Sequence, residues 1–176
     1  MTRPKDPISV LVDELAGVLE RLCKIQTLVN TAVREKLDAM RRAEVVEITA
    51  RAHREGELAA QTAELDKSRR DVVARLCKAL GISAVEEGRE ISLRSLVRRL
   101  APPHRDRLAA LANDLRERMI RTAESNRVVE IVCHEMMTHF KAVFEAMTSV
   151  AAESGVYGAR GRRAPSGEPL ALDAVG

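Results

Sequence analysis

The fold is decided by the stretch from residue 8 to residue 32, ISVLVDELAGVLERLCKIQTLVNTA. Its apolar residues recur at alternating intervals of three and four, at Ile8, Leu11, Leu15, Val18, Leu22, Ile25, Val29 and Ala32. This spacing places them along one side of an α-helix and is typical of a helix that packs against other helices. The stretch therefore predicts a long amphipathic helix in a helical bundle.

The apolar stripe continues to Leu80, but its phase changes near residues 41–43. No proline interrupts the chain from Ile8 to Leu80, so the local sequence would allow one helix of about 73 residues, about 110 Å long. A compact domain of this chain length is only about 40 Å across. We therefore predict two antiparallel helices, 8–40 and 43–80, although the turn lacks the usual glycine or proline. One bent helix is the alternative.

The chain after residue 80 predicts a loop, a short helix and a last, long helix. Gly81 is a typical helix stop, and residues 82–91 are predicted to form a loop. Ser92 is suited to cap a short helix, which the prolines at 102–103 end. The last helix then extends over about 50 residues. The predicted fold class is all-α, an elongated antiparallel helical bundle or coiled-coil hairpin with a long C-terminal helix.

The composition agrees with this fold class. Aromatic residues make up only 2% of the 176 residues and tryptophan is absent, so the core must consist mainly of aliphatic side chains. Thin helical bundles can be packed in that way, whereas β-sandwiches and barrels usually use aromatic and β-branched residues. We predict an irregular leader at 1–7, a single helical domain at 8–155 and a flexible, glycine- and arginine-containing tail at 156–176.

The charge pattern argues against nucleic acid and membrane as partners. The chain has 29 basic and 26 acidic residues and a net charge of +3, and the two signs alternate along the predicted helices. Such mixing is typical of a solvated face rather than a nucleic-acid stripe. A less favoured alternative is a basic helical nucleic-acid binder, based on the densest cluster, Arg94, Arg98, Arg99, Arg105 and Arg107. The sequence contains no apolar run of about 18 residues, so we predict no membrane span.

The N-terminus and the cysteines predict a cytoplasmic protein. No apolar stretch follows the charges of the first seven residues, so we do not expect a signal peptide. The three cysteines, Cys23, Cys77 and Cys133, lie far apart inside helical patterns. Their odd number and wide spacing favour reduced thiols that act as small buried hydrophobic residues.

No motif predicts catalysis, a cofactor or a metal site. The segment from His134 to His139 resembles the zinc motif H-E-x-x-H, but its second histidine stands five positions after the first instead of four. The two imidazoles then lie about 140° apart around a helix and cannot share a metal ion. Cys133 and His134 are adjacent, so their side chains do not face each other. We therefore predict a protein that is not an enzyme.

The last helix carries a wide apolar stripe near its end. We call its residues the C-terminal surface: Val132, Met136, Phe140, Val143, Phe144, Met147 and Val150. The simplest interpretation is that they belong to the bundle core. If the last helix is longer than its two partner helices, however, part of the stripe is uncovered. An exposed surface rich in Met and Phe is suited to bind an amphipathic segment of another protein.

Five stretches carry a resemblance to a known family: VDELAGVLERLCKIQTLV at 12–29, DKSRRDVVARLCKALG at 66–81, ISLRSLVRRL at 91–100, AESNRVVEIVCHEM at 123–136 and GVYGARG at 155–161. The chain resembles the FlgN-like flagellar export chaperones over about residues 8–161. The more specific parts of the resemblance are the segment 70–81, Asn126 and the segment 157–161.

The resemblance implies a cytoplasmic, non-enzymatic chaperone without a cofactor. Its C-terminal helix would hold the C-terminal helical segments of hook-associated proteins, which form the hook–filament junction, before type III secretion. In related chaperones the C-terminal region also docks on the export-gate platform protein, and a tyrosine takes part. By position, Tyr157 is the candidate for that role; the alternative is that its ring packs back on Phe144 or caps the end of the helix. The alternative class is a structural coiled-coil protein that covers its own stripes by self-association.

Overall fold

The protein is an all-α helical bundle in a computed structural model that describes residues 6–86 and 89–154. Its elements in chain order are α1 (Pro7–Arg41), α2 (Val45–Leu80), β1 (Val85–Glu86), β2 (Arg89–Glu90), α3 (Leu93–Arg98) and α4 (His104–Ser154). The predicted fold class is confirmed. The predicted difference in helix length is confirmed too, because α1 and α2 have 35 and 36 residues and α4 has 51.

The chain divides into two compact units, residues 1–129 and residues 130–176. The first contains α1, α2, α3 and the beginning of α4, and the second contains the remainder of α4. Pro7, which we assigned to the leader, is already the first residue of α1. The predicted tail at 156–176 lies outside the described residues, and the single domain predicted for 8–155 stays a prediction.

α1 and α2 form an antiparallel pair that buries their two apolar stripes. Glu14, early in α1, pairs with Arg75, late in α2, whereas Lys36 pairs with Glu55 near the other ends of the helices. The helices therefore run in opposite directions. The core between them includes Val12, Leu15, Leu19 and Leu22 of α1 and Val72, Leu76 and Cys77 of α2. Two separate helices are confirmed, and a single bent helix is wrong.

Lys36 interrupts the apolar stripe of α1 because it has a partner on α2. Its ammonium group binds a carboxylate oxygen of Glu55, and the two side chains are only 15% and 20% exposed. The other carboxylate oxygen of Glu55 is buried and accepts no hydrogen bond within the described residues. Removing one member of such a shielded pair leaves a poorly solvated charge, which is costly. The pair therefore fixes how α1 and α2 align near their connecting turn.

The turn between α1 and α2 has the geometry of a glycine C-cap, but alanine occupies the critical position. Ala43 has a left-handed φ of 55°. Its amide donates to the carbonyl of Met40, and the amide of Glu44 donates to the carbonyl of Ala39, both at 3.0 Å. These two bonds form a Schellman motif, which usually has glycine at the left-handed residue. The turn therefore lacks a glycine or proline in the sequence, although its backbone forms a common helix end.

The segment after α2 begins with the same motif, this time at a glycine. Gly81 has a φ of 66°, and the amide of Ile82 donates to the carbonyl of Cys77 at 3.0 Å. The predicted loop at 82–91 is partly wrong, because β1 and β2 pair as two-residue antiparallel strands. In addition, Ile91 donates its amide to Ala84 at 2.8 Å and is buried in the core. Packing of Ile91 thus stabilises the β1–β2 pair, whose strands are too short to predict from the sequence.

α3 and the beginning of α4 complete the core of the first unit. The side chain of Ser92 accepts a hydrogen bond from the amide of Ser95, so the predicted N-cap is confirmed. The core cluster of α1 and α2 also includes Leu96 and Val97 of α3, Leu100 of the turn that follows α3, and Leu108 of α4.

The first part of α4 runs parallel to α1. Arg107 donates to Asp13 at 2.7 Å, and further along both helices Ser125 donates to Asn30 at 3.0 Å. The contacts advance in the same direction on the two helices, which fixes their parallel orientation. Because α2 is antiparallel to α1, it is also antiparallel to this part of α4.

Candidate partner-binding surface

The C-terminal surface consists of seven apolar side chains on the last two-fifths of α4. At 100° per residue, the intervals of three and four between them keep all seven within an arc of about 120°. Two of them, Val132 and Met136, are half-buried. The other five are exposed. The structure therefore places every predicted residue from 132 to 150 on one side of the helix.

The largest members of the C-terminal surface are well exposed. Phe140 is 61% exposed, Phe144 is 60% exposed and Met147 is 66% exposed. Full burial of one such side chain stabilises a complex by about 1.5–3 kcal/mol relative to leaving it in water. Several large apolar side chains clustered on one exposed face are unusual for a monomer, and such a patch is typical of interaction sites. The interpretation of these residues as bundle core is therefore wrong from Phe140 onward.

Met137 lies next to the seven residues of the C-terminal surface and extends the same apolar stripe. It is exposed and lies about 20° beyond Phe144 around the helix. Methionine side chains are flexible and polarisable, so they adapt to partners of different shape.

The hydroxyl groups of this region donate hydrogen bonds within the helix itself. The hydroxyl of Thr138 donates to the carbonyl of His134 at 2.9 Å, and that of Thr148 donates to the carbonyl of Phe144 at 3.0 Å. Lys141 and Glu145 form a loose surface ion pair at 3.9 Å. These residues make few directional demands on a partner. Any partner on this face would therefore be held mainly by burial of apolar area, which depends little on salt.

The chemical candidates near this surface form no site. His134 and His139 are both exposed. Among the described residues, no three His, Cys, Asp or Glu side chains come together in a way that could hold a metal ion. Cys133 is exposed, so its assignment as a buried hydrophobic residue is wrong, whereas Cys23 and Cys77 are buried as predicted. Periodicity placed Cys133 on the apolar side of α4, but that side is not covered there.

Cys23 takes part in a polar cluster that attaches α4 to α1. Burial raises the pKa of the Cys23 thiol, and the nearby carboxylate of Asp114 raises it further. Arg118 donates to that carboxylate at 2.9 Å and thereby holds the pKa of Asp114 below its usual value. Arg118 also donates to the hydroxyl of Thr27 on α1. A buried, protonated thiol is a poor nucleophile, so the cluster has a structural role.

The arginine cluster of the nucleic-acid alternative is partly neutralised. Arg107 pairs with Asp13 at 2.7 Å and lies 3.9 Å from Glu20, and Arg105 pairs with Asp106 at 3.1 Å. A phosphate-binding stripe would need these guanidinium groups to be free for phosphate oxygens. The cluster that looked continuous in the sequence is therefore divided in the structure.

Tyr157, the last of the predicted partner-binding residues, lies outside the described residues.

No helix in the ranges 6–86 and 89–154 is both long and apolar enough to cross a membrane.

Comparison with known proteins gives one result. The family model described as FlgN protein matches residues 1–165. No curated protein and no solved structure matches the chain. Because the matched range includes nearly the whole sequence, the chain belongs to the FlgN family, a family of flagellar export chaperones.

Proposed function

We propose that this member of the FlgN family is a cytoplasmic chaperone for hook-associated proteins, the proteins of the hook–filament junction. It would bind their C-terminal helical segments before type III secretion and hold them on the C-terminal surface. The single observation that supports this site is the exposure of Phe140, Phe144 and Met147 on one face of α4. The family supports a flagellar export chaperone in general, and the choice of partner is our proposal.

The proposed mechanism is burial of one amphipathic helix against another. A helical segment whose apolar stripe has the same three-and-four spacing can insert its side chains between those of the C-terminal surface. Covering that stripe keeps it from associating with other copies of the exported protein, which is how a chaperone prevents aggregation. Because all seven residues of the C-terminal surface are apolar, the complex would separate without breaking strong polar bonds.

The proposal extends to a second contact. We propose that Tyr157 helps the chaperone to dock on the export-gate platform protein. This part rests on the family resemblance alone.

The test is a titration of purified hook-associated proteins with the intact chain and with the variant Val143→Ser/Phe144→Ser/Met147→Ser. The expected result is a loss of about 2–4 kcal/mol in binding free energy, or about 30- to 1000-fold in Kd, because the variant removes Phe144 and Met147, two of the three largest exposed side chains of the surface. A matched control changes three exposed apolar residues of the first unit, Val45→Ser/Val46→Ser/Met119→Ser. Circular dichroism must show both variants to be helical.

Equal binding by the intact chain and the Val143/Phe144/Met147 variant would contradict the proposed surface. Failure of the intact chain to bind any hook-associated protein from its own genome would contradict the proposed partner.

The alternative, self-association, uses the same exposed residues. In that case light scattering would show a dimer, and the Val143→Ser/Phe144→Ser/Met147→Ser variant would be a monomer. A monomeric intact chain that binds the exported protein with one-to-one stoichiometry would exclude this alternative.

A further inference from the structure

A groove in the first unit has a composition unlike that of the C-terminal surface. It lies between α3 and the beginning of α4 and has a volume of about 590 Å³. Apolar side chains line much of it: Leu93, Val97, Ala109 and Ala112. Arginines also line it: Arg94, Arg98, Arg105 and Arg116. We call it the arginine groove.

The arginines of this groove are mostly unneutralised. Arg105 pairs with Asp106, which also lines the groove. Arg94, Arg98 and Arg116 are exposed, and within the described residues they form no ion pair. Arginines elsewhere in the bundle, such as Arg75 and Arg118, do pair with carboxylates. The groove therefore has a net positive rim around an apolar floor.

The floor has the dimensions of a helix-binding site. Arg105, Ala109, Ala112 and Arg116 follow one another at intervals of four, three and four, so they form one stripe along α4. From Arg105 to Arg116 this stripe is about 17 Å long, which corresponds to three helical turns. The two alanines at its centre allow a second backbone to approach closely, and the arginines lie at its ends.

We propose that the arginine groove binds an acidic amphipathic helix of a partner protein. Such a helix would place apolar side chains on Leu93, Ala109 and Ala112, and its carboxylates would pair with Arg94, Arg98 and Arg116. A guanidinium group binds a carboxylate with two parallel hydrogen bonds, which gives orientation as well as attraction. The groove shares no residue with the C-terminal surface, so both sites can be tested separately.

Several features favour a protein helix over nucleic acid. A single-stranded nucleic acid needs aromatic side chains on which its bases stack, and no aromatic residue lines this groove. Its floor is apolar, which suits the buried face of an amphipathic helix. An apolar floor offers no charged group to a phosphate backbone.

The experiment measures binding of a synthetic peptide by fluorescence anisotropy at low salt. The probe is a peptide of about 14 residues, three to four turns, with leucines at intervals of three and four and glutamates on both flanks. A scrambled peptide of the same composition and an oligothymidylate of about 14 nucleotides are the competing probes. We expect micromolar binding of the amphipathic peptide and at least about tenfold weaker binding of the other two.

Charge and floor variants locate the site. Arg94→Glu/Arg116→Glu should weaken peptide binding at least about tenfold. The matched control, Arg34→Glu/Arg127→Glu, changes the net charge equally at two exposed arginines outside the groove and should change binding less than about twofold. Ala112→Gln, which narrows the floor without changing charge, should also weaken binding at least about tenfold.

Three outcomes would overturn the proposal. Equal binding of the scrambled peptide, or equal loss in the Arg34/Arg127 control, would mean that only net charge is recognised. Tighter binding of the oligothymidylate, with loss in the Arg94/Arg116 variant, would identify a nucleic-acid site instead. No binding of the amphipathic peptide at low salt would mean that the groove is not a docking site for acidic helices.

Discussion

The two parts of α4 have the same apolar spacing but opposite burial. Between His104 and Val129, the face toward α1 and α2 is covered, with Leu108 fully buried and Thr122 and Val129 only 7% exposed. Between Glu130 and Val150, the residues at the corresponding positions are half-buried or exposed. Apolar spacing thus determines that a helix forms and which face is apolar. It does not determine whether another element covers that face.

The largest expected difference between the first unit and the second is in thiol reactivity. Cys23, packed near α4 in the first unit, is 6% exposed and its pKa is raised by burial, whereas Cys133 is exposed. A buried thiol reacts only when the structure opens, which for a stable core limits the rate by a factor on the order of 10³ or more. Titration with a thiol reagent in native buffer should therefore give one fast group per chain, followed by a slow phase.

A Cys133→Ser variant is the control for that experiment, and it should lack the fast phase. Because Cys133 lies about 100° from Val132 around the helix, within the arc of the C-terminal surface, partner binding should also slow its reaction. Slow labelling of Cys133 in the isolated chain would contradict the comparison, because it would show that the second part of α4 is covered.

The next difference is in the free energy of unfolding. Leu108→Ala removes a side chain that is completely buried among α1, α2 and α3 and should destabilise the protein by about 2–5 kcal/mol. Phe144→Ala removes a larger side chain, but from an exposed position, and should change the stability by less than about 0.5 kcal/mol. Urea unfolding of both variants measures the difference. Equal losses would show that Phe144 is part of a core.

The sequence predicted the helices well and their connections less well. The spacing from Ile8 to Ala32 predicted the buried face of α1. Gly81 predicted the end of α2, and Ser92 predicted the start of α3. The position of the first turn followed from the phase change, but its type did not, because Ala43 takes the conformation that glycine usually adopts. The small β1–β2 ladder was missed because two-residue strands have no periodicity.

The candidate site could be predicted only as far as one helix determines it. The apolar residues from 132 to 150 and their common face follow from the spacing, and the greater length of α4 suggested that some of them are exposed. The half-burial of Val132 and Met136 and the exposure of Cys133 do not follow from the spacing. The arginine groove was not predicted, because its lining comes from two elements, α3 and α4. The sequence also does not show which arginines of the cluster form ion pairs and which do not.

The smallest expected difference concerns two lysine–glutamate pairs, one in each unit. Lys36 and Glu55 are mostly shielded from water, whereas Lys141 and Glu145 are 78% and 66% exposed and 3.9 Å apart. Lys36→Ala should cost about 1–2 kcal/mol, because it leaves the Glu55 carboxylate partly desolvated and without its cation. Lys141→Ala should change the stability by less than about 0.5 kcal/mol, because water solvates both groups.

The urea midpoint of the two lysine variants, at low and at high salt, completes this comparison. Added salt should leave the cost of Lys36→Ala nearly unchanged, because ions cannot approach a shielded pair closely. A double variant, Lys36→Met/Glu55→Leu, should recover most of the lost stability, since replacing a shielded ion pair by apolar side chains removes the desolvation cost. If Lys36→Ala were as mild as Lys141→Ala, the charge of Glu55 would be solvated, and the pair could not fix the alignment of α1 and α2.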